Sequence, residues 1–202
     1  MPSETPFRLT LLALLVVTMS VGVYHRVRAR SGEKFDRRQE GLALAIVLRL
    51  AGMAAWIGTF AYLINPEWMA WSQAPLPPWL RWLGAAFGAS CVGLMFWTMS
   101  SLGKNLTDTV VTRKDATLVT HGPYRYIRHP FYVTAALVLL SITLVSANLF
   151  IGLCGVLAMV MLALRTPKEE QRLLEKFGEP YREYRATTGA FLPRWHGRGA
   201  KS

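Results

Sequence analysis

FYVTAALVLLSITLVSANLFIGLCGVLAMVMLAL, residues Phe131 to Leu164, runs for 34 positions without a charged side chain. As a single helix it would be about 51 Å long at 1.5 Å per residue. A bilayer's hydrocarbon core is roughly 30 Å thick. The run is too long for one upright span, and its length suits two antiparallel spans joined by a tight turn. Asn148, preceded by Ser146 and Ala147, is the expected turn. A helical hairpin in a membrane therefore anchors the reading of the whole chain.

Three more apolar runs lie upstream: Phe7 to Tyr24, Gly41 to Ile64 and Trp79 to Leu102. The first has its basic cluster after the run rather than before it, and no small-residue cleavage site follows. It therefore reads as a retained span and not as a signal peptide. The third contains Gly84-Ala85-Ala86-Phe87-Gly88, a small-xxx-small spacing that lets helices approach closely. Five spans result.

Composition agrees. Of 202 residues, 52% are hydrophobic and 17% charged, against roughly 25% charged in soluble domains. Such hydrophobicity excludes a disordered chain. Two cysteines, Cys91 and Cys154, both inside apolar runs, exclude a disulfide scaffold and read as small buried hydrophobes.

The net charge of +11 fits either nucleic-acid binding or a positive-inside topology. Placement of the bases decides between them. Six lie between His25 and Glu40, none between Asn65 and Pro78, five between Gly103 and Pro130, and nine from Arg165 onward. The bases flank the spans on one side, so nucleic acid is not the expected partner. The N-terminus is expected outside and the C-terminus in the cytoplasm, in a bacterial inner membrane or, for a eukaryotic source, the endoplasmic reticulum. Arg49, inside the second run, is expensive in lipid. It lies too far from the basic loop to snorkel easily and is expected to face the bundle near the site.

The predicted fold is all-α: a polytopic membrane domain over residues 1–202 with about five transmembrane helices and an amphipathic cytoplasmic tail. Residues 1–102 form three N-terminal spans. Residues 103–202 carry a polar loop, the hairpin and the tail helices. Thr166 and Pro167, with Glu169 and Glu170 in the first turn, predict a fresh helix start at the tail. Gly178 is the expected C-cap, and Pro180 opens a short second helix.

Polar side chains concentrate at the two ends of the hairpin. One group is Leu118-Val119-Thr120-His121-Gly122-Pro123-Tyr124-Arg125-Tyr126-Ile127-Arg128-His129-Pro130-Phe131-Tyr132; the other is Arg165-Thr166-Pro167-Lys168-Glu169-Glu170. If the hairpin closes, Arg, His, Tyr and Glu converge at the lip of a membrane cavity. Such a site can take a polar ligand from the cytosol and a lipophilic one from the bilayer. No metal-ligand spacing accompanies His121 and His129, and no phosphate-cradling glycine loop is present.

The first group resembles the signature of the isoprenylcysteine carboxyl methyltransferase family. The tail Glu169-Glu170-x-x-Leu173-x-x-x-Phe177-Gly178-x-x-Tyr181-x-x-Tyr184 is similar to its second signature. The resemblance is densest from about Gly103 to Pro193; the first two spans match only in kind. It implies an integral membrane enzyme transferring methyl from S-adenosylmethionine to a lipophilic acceptor, at best the carboxylate of an isoprenylcysteine-like substrate. Phospholipid and thiol methyltransferases have similar tails.

By the same resemblance, Arg128 and Arg165 are candidates to orient the acceptor carboxylate. His129 with Tyr124 or Tyr132 is a candidate for the cofactor's amino-acid end. Glu170, with Glu169 second, suits ribose hydroxyls or the ammonium group, and Leu118, Val119, His121 and Gly122 lie where backbone would meet adenine. Membrane sterol reductases, which use NADPH, share an Arg-His pair and a Tyr-x-x-Tyr tail. They typically continue Asn-Tyr where this chain has Pro130-Phe131-Tyr132, which favours the methyltransferase. A membrane protein of this fold without catalysis is the third class.

Overall fold

The computed structural model describes residues 3–29, 42–103 and 117–194. The described residues are helical, with two isolated bridges and no strand. The helices are α1 (Thr5–Arg28), α2 (Leu42–Ile64), α3 (Pro78–Leu102), α4 (Pro130–Ser146), α5 (Leu149–Phe177) and α6 (Glu179–Thr187), with 3-10 turns at Pro66–Ser72 and Gly122–Arg125. Four of them, α1, α2, α3 and α5, are long and apolar enough to cross a membrane. This is an integral membrane protein. α4 is apolar but has only 17 residues, at the lower limit for a span.

The hairpin forms where expected. Ala147 takes a left-handed conformation (φ 50°) and ends α4. Asn148 then caps α5: its side chain accepts from the Ile151 N–H at 3.1 Å and donates to Met69 O at 3.1 Å. The second bond ties the turn to the 3-10 segment between α2 and α3. Pro130 starts α4, in keeping with its fixed φ and its bar on a helical predecessor.

Two expectations are corrected. The tail does not begin a new helix at Thr166; α5 runs unbroken to Phe177 with Pro167 inside it. Instead of capping, the Thr166 hydroxyl donates back to Leu162 O at 3.0 Å. Proline removes one backbone donor, and an already propagating helix absorbs that loss near its polar end. Arg49, expected to face the bundle, is exposed on the outer side of α2. The bundle-facing positions of α2 are the buried Ala51, Ala55, Thr59 and Tyr62.

α3 packs along α4 and α1, and α2 along α5. Gly84 and Gly88 permit the α3–α4 contact. A Cβ at Gly84 would lie 2.6 Å from Leu144 Cβ, and one at Gly88 2.2 Å from Ser141 Oγ. Ser141 Oγ donates to Gly84 O at 2.8 Å. Gly84→Ala is therefore expected to cost about 1–3 kcal/mol through overpacking. Gly93 has nothing within 4 Å of such a Cβ, so Gly93→Ala should leave the thermal midpoint in detergent nearly unchanged. Equal midpoints for the two variants would remove the close-packing argument.

At the hairpin-turn end, a polar knot joins four helices. Glu4 precedes α1 and receives Arg81 Nη1 and Nη2, both at 2.7 Å, and the Tyr62 hydroxyl at 2.8 Å. Arg81 is 4% exposed. It also donates to Val145 O from Nε (3.0 Å) and Nη2 (2.9 Å). Val145 is in the last turn of α4, where carbonyls lack intrahelical partners. Arg8 does the same for α2, donating to Leu63 O and Ile64 O at 2.6–3.0 Å. Arginines on neighbouring helices thus cap two helix C-termini, where positive charge is favoured.

Candidate functional site

At the opposite end of α4, the two polar sequence groups meet. Glu170, on the polar extension of α5, is the hub. Its Oε1 accepts from Arg128 Nε at 2.8 Å and Nη2 at 2.6 Å, and lies 3.2 Å from His129 Nε2. Its Oε2 lies 3.3 Å from Arg185 Nε on α6. The Arg128 and Glu170 side chains are each 8% exposed. Charged groups are buried this deeply when they are paired and hydrogen-bonded. Glu169 Oε2 accepts from the Tyr132 hydroxyl at 2.6 Å. The Tyr132 ring stacks on His129, centroids 5.5 Å apart and planes within 10°.

The carboxylate pair and the Arg128-His129-x-x-Tyr132 segment therefore form one constellation across the hairpin. Arg165 is half-buried on α5, one i,i+4 step from Glu169 and so on the same face.

The rest of the first group is arranged by backbone. Gly122, at φ 61°, passes so close to α3 that a Cβ there would lie 2.2 Å from Ser101 Oγ. This close approach seats the Gly122–Arg125 turn on the end of α3. Tyr124 is buried, and its carbonyl accepts from the Tyr184 hydroxyl at 2.5 Å. Burial pushes the Tyr124 phenol up and the Tyr184 phenol up to about 12, so both stay protonated. Val119 is buried, Leu118 half-buried and His121 exposed. Among the described residues, no hydrogen bond joins these three to the carboxylate pair.

Residues not picked out as site residues from the sequence complete the cluster. After α6 the chain turns back and pairs its main chain with the Arg128-His129 segment. Arg128 N donates to Gly189 O at 2.8 Å and His129 N to Ala190 O at 3.0 Å. Arg128 Nη1 also donates to Arg185 O (3.2 Å) and to Thr188 O. The Phe191 ring lies 5.6 Å from that of His129. Four of the five Arg128 N–H donors are thus used within the protein.

Comparison with known proteins places this arrangement. The isoprenylcysteine carboxyl methyltransferase (ICMT) family profile matches residues 86–175, which hold most of α3, the first polar group, the hairpin and Glu169-Glu170. The chain is 31% identical over 114 residues to the protein-S-isoprenylcysteine O-methyltransferase of Schizosaccharomyces pombe, covering 54% of this chain and 48% of that protein. It is 30% identical over 104 residues to the cobalt-zinc-cadmium resistance protein CzcN of Cupriavidus metallidurans, covering 51% and 48%. The matches thus span about half the length of these curated relatives. The solved structure of a eukaryotic intramembrane Ras methyltransferase, ICMT, superposes with a TM-score of 0.57 at 23% identity, covering 91% of this chain and 67% of that one; this likeness shows the fold. Over residues 86–175, and in its helical architecture, the chain is similar to the isoprenylcysteine carboxyl methyltransferase family.

Proposed function

We propose that the protein transfers methyl from S-adenosylmethionine to a lipophilic acceptor at the membrane, most specifically the carboxylate of an isoprenylcysteine-like molecule. The observation that carries this reading is the Glu170 hub, which gathers Arg128, His129 and Arg185 at one end of an intramembrane hairpin.

The donor set suits such a cofactor. Glu169 Oε1 takes no hydrogen bond from the described residues, while Oε2 is held by Tyr132. An acceptor is therefore available for ribose hydroxyls or an ammonium group. The stacked His129 and Tyr132 rings offer flat surface beside it. Leu118, Val119, His121 and Gly122 remain the segment for adenine, through backbone groups. When bound, the cofactor supplies an electrophilic methyl on a sulfonium.

A carboxylate acceptor is already ionised at pH 7, so no protein base is needed. The protein's tasks are positioning and exclusion of water. Arg128 is mostly committed to holding Glu170 and the tail. One Nη2 hydrogen is left to reach an acceptor carboxylate, and Arg165 is the second candidate for that contact. A guanidinium matches a carboxylate in shape as well as charge. The spans supply the route for the lipophilic part. The distribution of bases supports a cytoplasmic position for this end of the bundle and an N-terminus outside, with residues 1–202 read as one membrane domain.

Purified protein in detergent is expected to bind S-adenosylhomocysteine saturably and to leave NADPH unbound, and then to form a base-labile methyl ester on a farnesylcysteine analogue. NADPH binding without S-adenosylhomocysteine binding would overturn the methyltransferase reading in favour of a reductase. Methylation of an amine or thiol instead of the carboxylate would keep the cofactor and overturn the acceptor.

A further inference from the structure

We propose that Tyr181 donates its phenolic hydrogen to an oxygen of the bound sulfonium cofactor, a contact resting on the methyltransferase reading above. Tyr181 belongs to the second signature, yet none of the roles assigned so far uses it. It lies in the first turn of α6 and is 1% exposed. Its hydroxyl is buried and, among the described residues, has no hydrogen-bond partner. Buried polar groups are almost always satisfied, and one left without a partner bears the full loss of its hydration.

The contrast with Tyr184 sharpens the point. Three residues on, and edge-on to Tyr181 at 6.1 Å between centroids, Tyr184 places its hydroxyl 2.5 Å from Tyr124 O. The same helix thus satisfies one phenol internally and leaves the other open. Tyr181 also lies within electrostatic reach of Glu170, Glu169, Arg128 and Arg185. Burial, with the Glu170 charge adding to it, pushes its phenol up, so the group is a donor throughout the working range.

The open donor and the open acceptor at Glu169 Oε1 therefore belong to one cluster. A ligand with both hydroxyls and other acceptor oxygens would complete it. α6 lies past Gly178 in the polar tail, away from the apolar spans. A water-soluble ligand reaches it, which assigns the contact to the cofactor and not to the lipophilic acceptor.

The test is Tyr181→Phe, which removes one oxygen and keeps the ring. S-adenosylhomocysteine affinity is measured by calorimetry on wild type and variant, together with the thermal midpoint of each without ligand. The expected result is roughly tenfold weaker binding, the usual worth of one hydrogen bond, with a ligand-free midpoint equal to or above wild type, because an unsatisfied buried hydroxyl is gone. Unchanged affinity overturns the proposal while leaving the methyltransferase reading intact, as does a raised KM for the acceptor alone. A lowered ligand-free midpoint also overturns it, since the hydroxyl would then serve the fold. Wild-type protein that binds no S-adenosylhomocysteine removes the underlying reading and this contact with it.

Discussion

Glu170→Ala is expected to lower ligand-free stability by about 3–5 kcal/mol, the usual result of removing one partner from a buried charge pair. The reason is local. Arg128 is nearly enclosed, and its Nε and Nη2 both point at Glu170 Oε1, with His129 Nε2 at 3.2 Å from the same oxygen. Alanine leaves that guanidinium buried with only backbone carbonyls for company. It also frees the α6 end, because Arg185 loses its partner. Glu169→Ala is the comparison. Glu169 is half-buried and holds only the Tyr132 hydroxyl among the described residues, so its removal should cost about 1 kcal/mol. Both variants are expected to lose S-adenosylhomocysteine binding. The two glutamates therefore separate in the melting curve and not in the binding isotherm. A Glu170→Ala protein that melts like wild type would refute the hub.

Much of this was legible in the sequence, and the physical reasons differ from element to element. The hairpin is encoded by length alone: 34 uncharged residues cannot be one span. Its turn shows because asparagine can both cap and hydrogen-bond locally. Arg128, His129, Tyr132, Glu169 and Glu170 stood out because polar side chains next to apolar spans are costly and few. What stayed hidden was carried by backbone or by distance. The Gly189 and Ala190 carbonyls that pair with the Arg128-His129 segment, and the Tyr124 carbonyl that receives Tyr184, carry no side-chain signature. Thr166-Pro167 followed by two glutamates has the same composition as a helix N-terminus, so the sequence could not tell a new helix from a continuing one. Nothing in the local sequence marks Arg81, because its partner Glu4 lies 77 positions away.

That distant pair is expected to give the other large effect. Glu4→Ala leaves Arg81, 4% exposed, without its counter-charge, at about 3 kcal/mol. Arg81→Met loses the same pair and also uncaps α4, because Val145 O is left without the two donors it now accepts. It should therefore cost more than Glu4→Ala. In the double variant the lost ion pair is counted once, so its cost should fall short of the sum of the single costs. Acid gives an independent check. The Arg81 hydrogen bonds hold the Glu4 carboxyl below its ordinary value of 4.5. A carboxyl lowered by folding stabilises the protein fully above that ordinary value, and the contribution is lost as pH falls through the lowered one. The thermal midpoint of the wild type should therefore fall on acidification below about pH 4.5. In Arg81→Met the same window should be flatter, since Glu4 then titrates near its unfolded value. Strictly additive single variants together with an unchanged acid profile would mean that the knot contributes no coupling between α1 and the hairpin, and that α1 is held by its apolar packing alone.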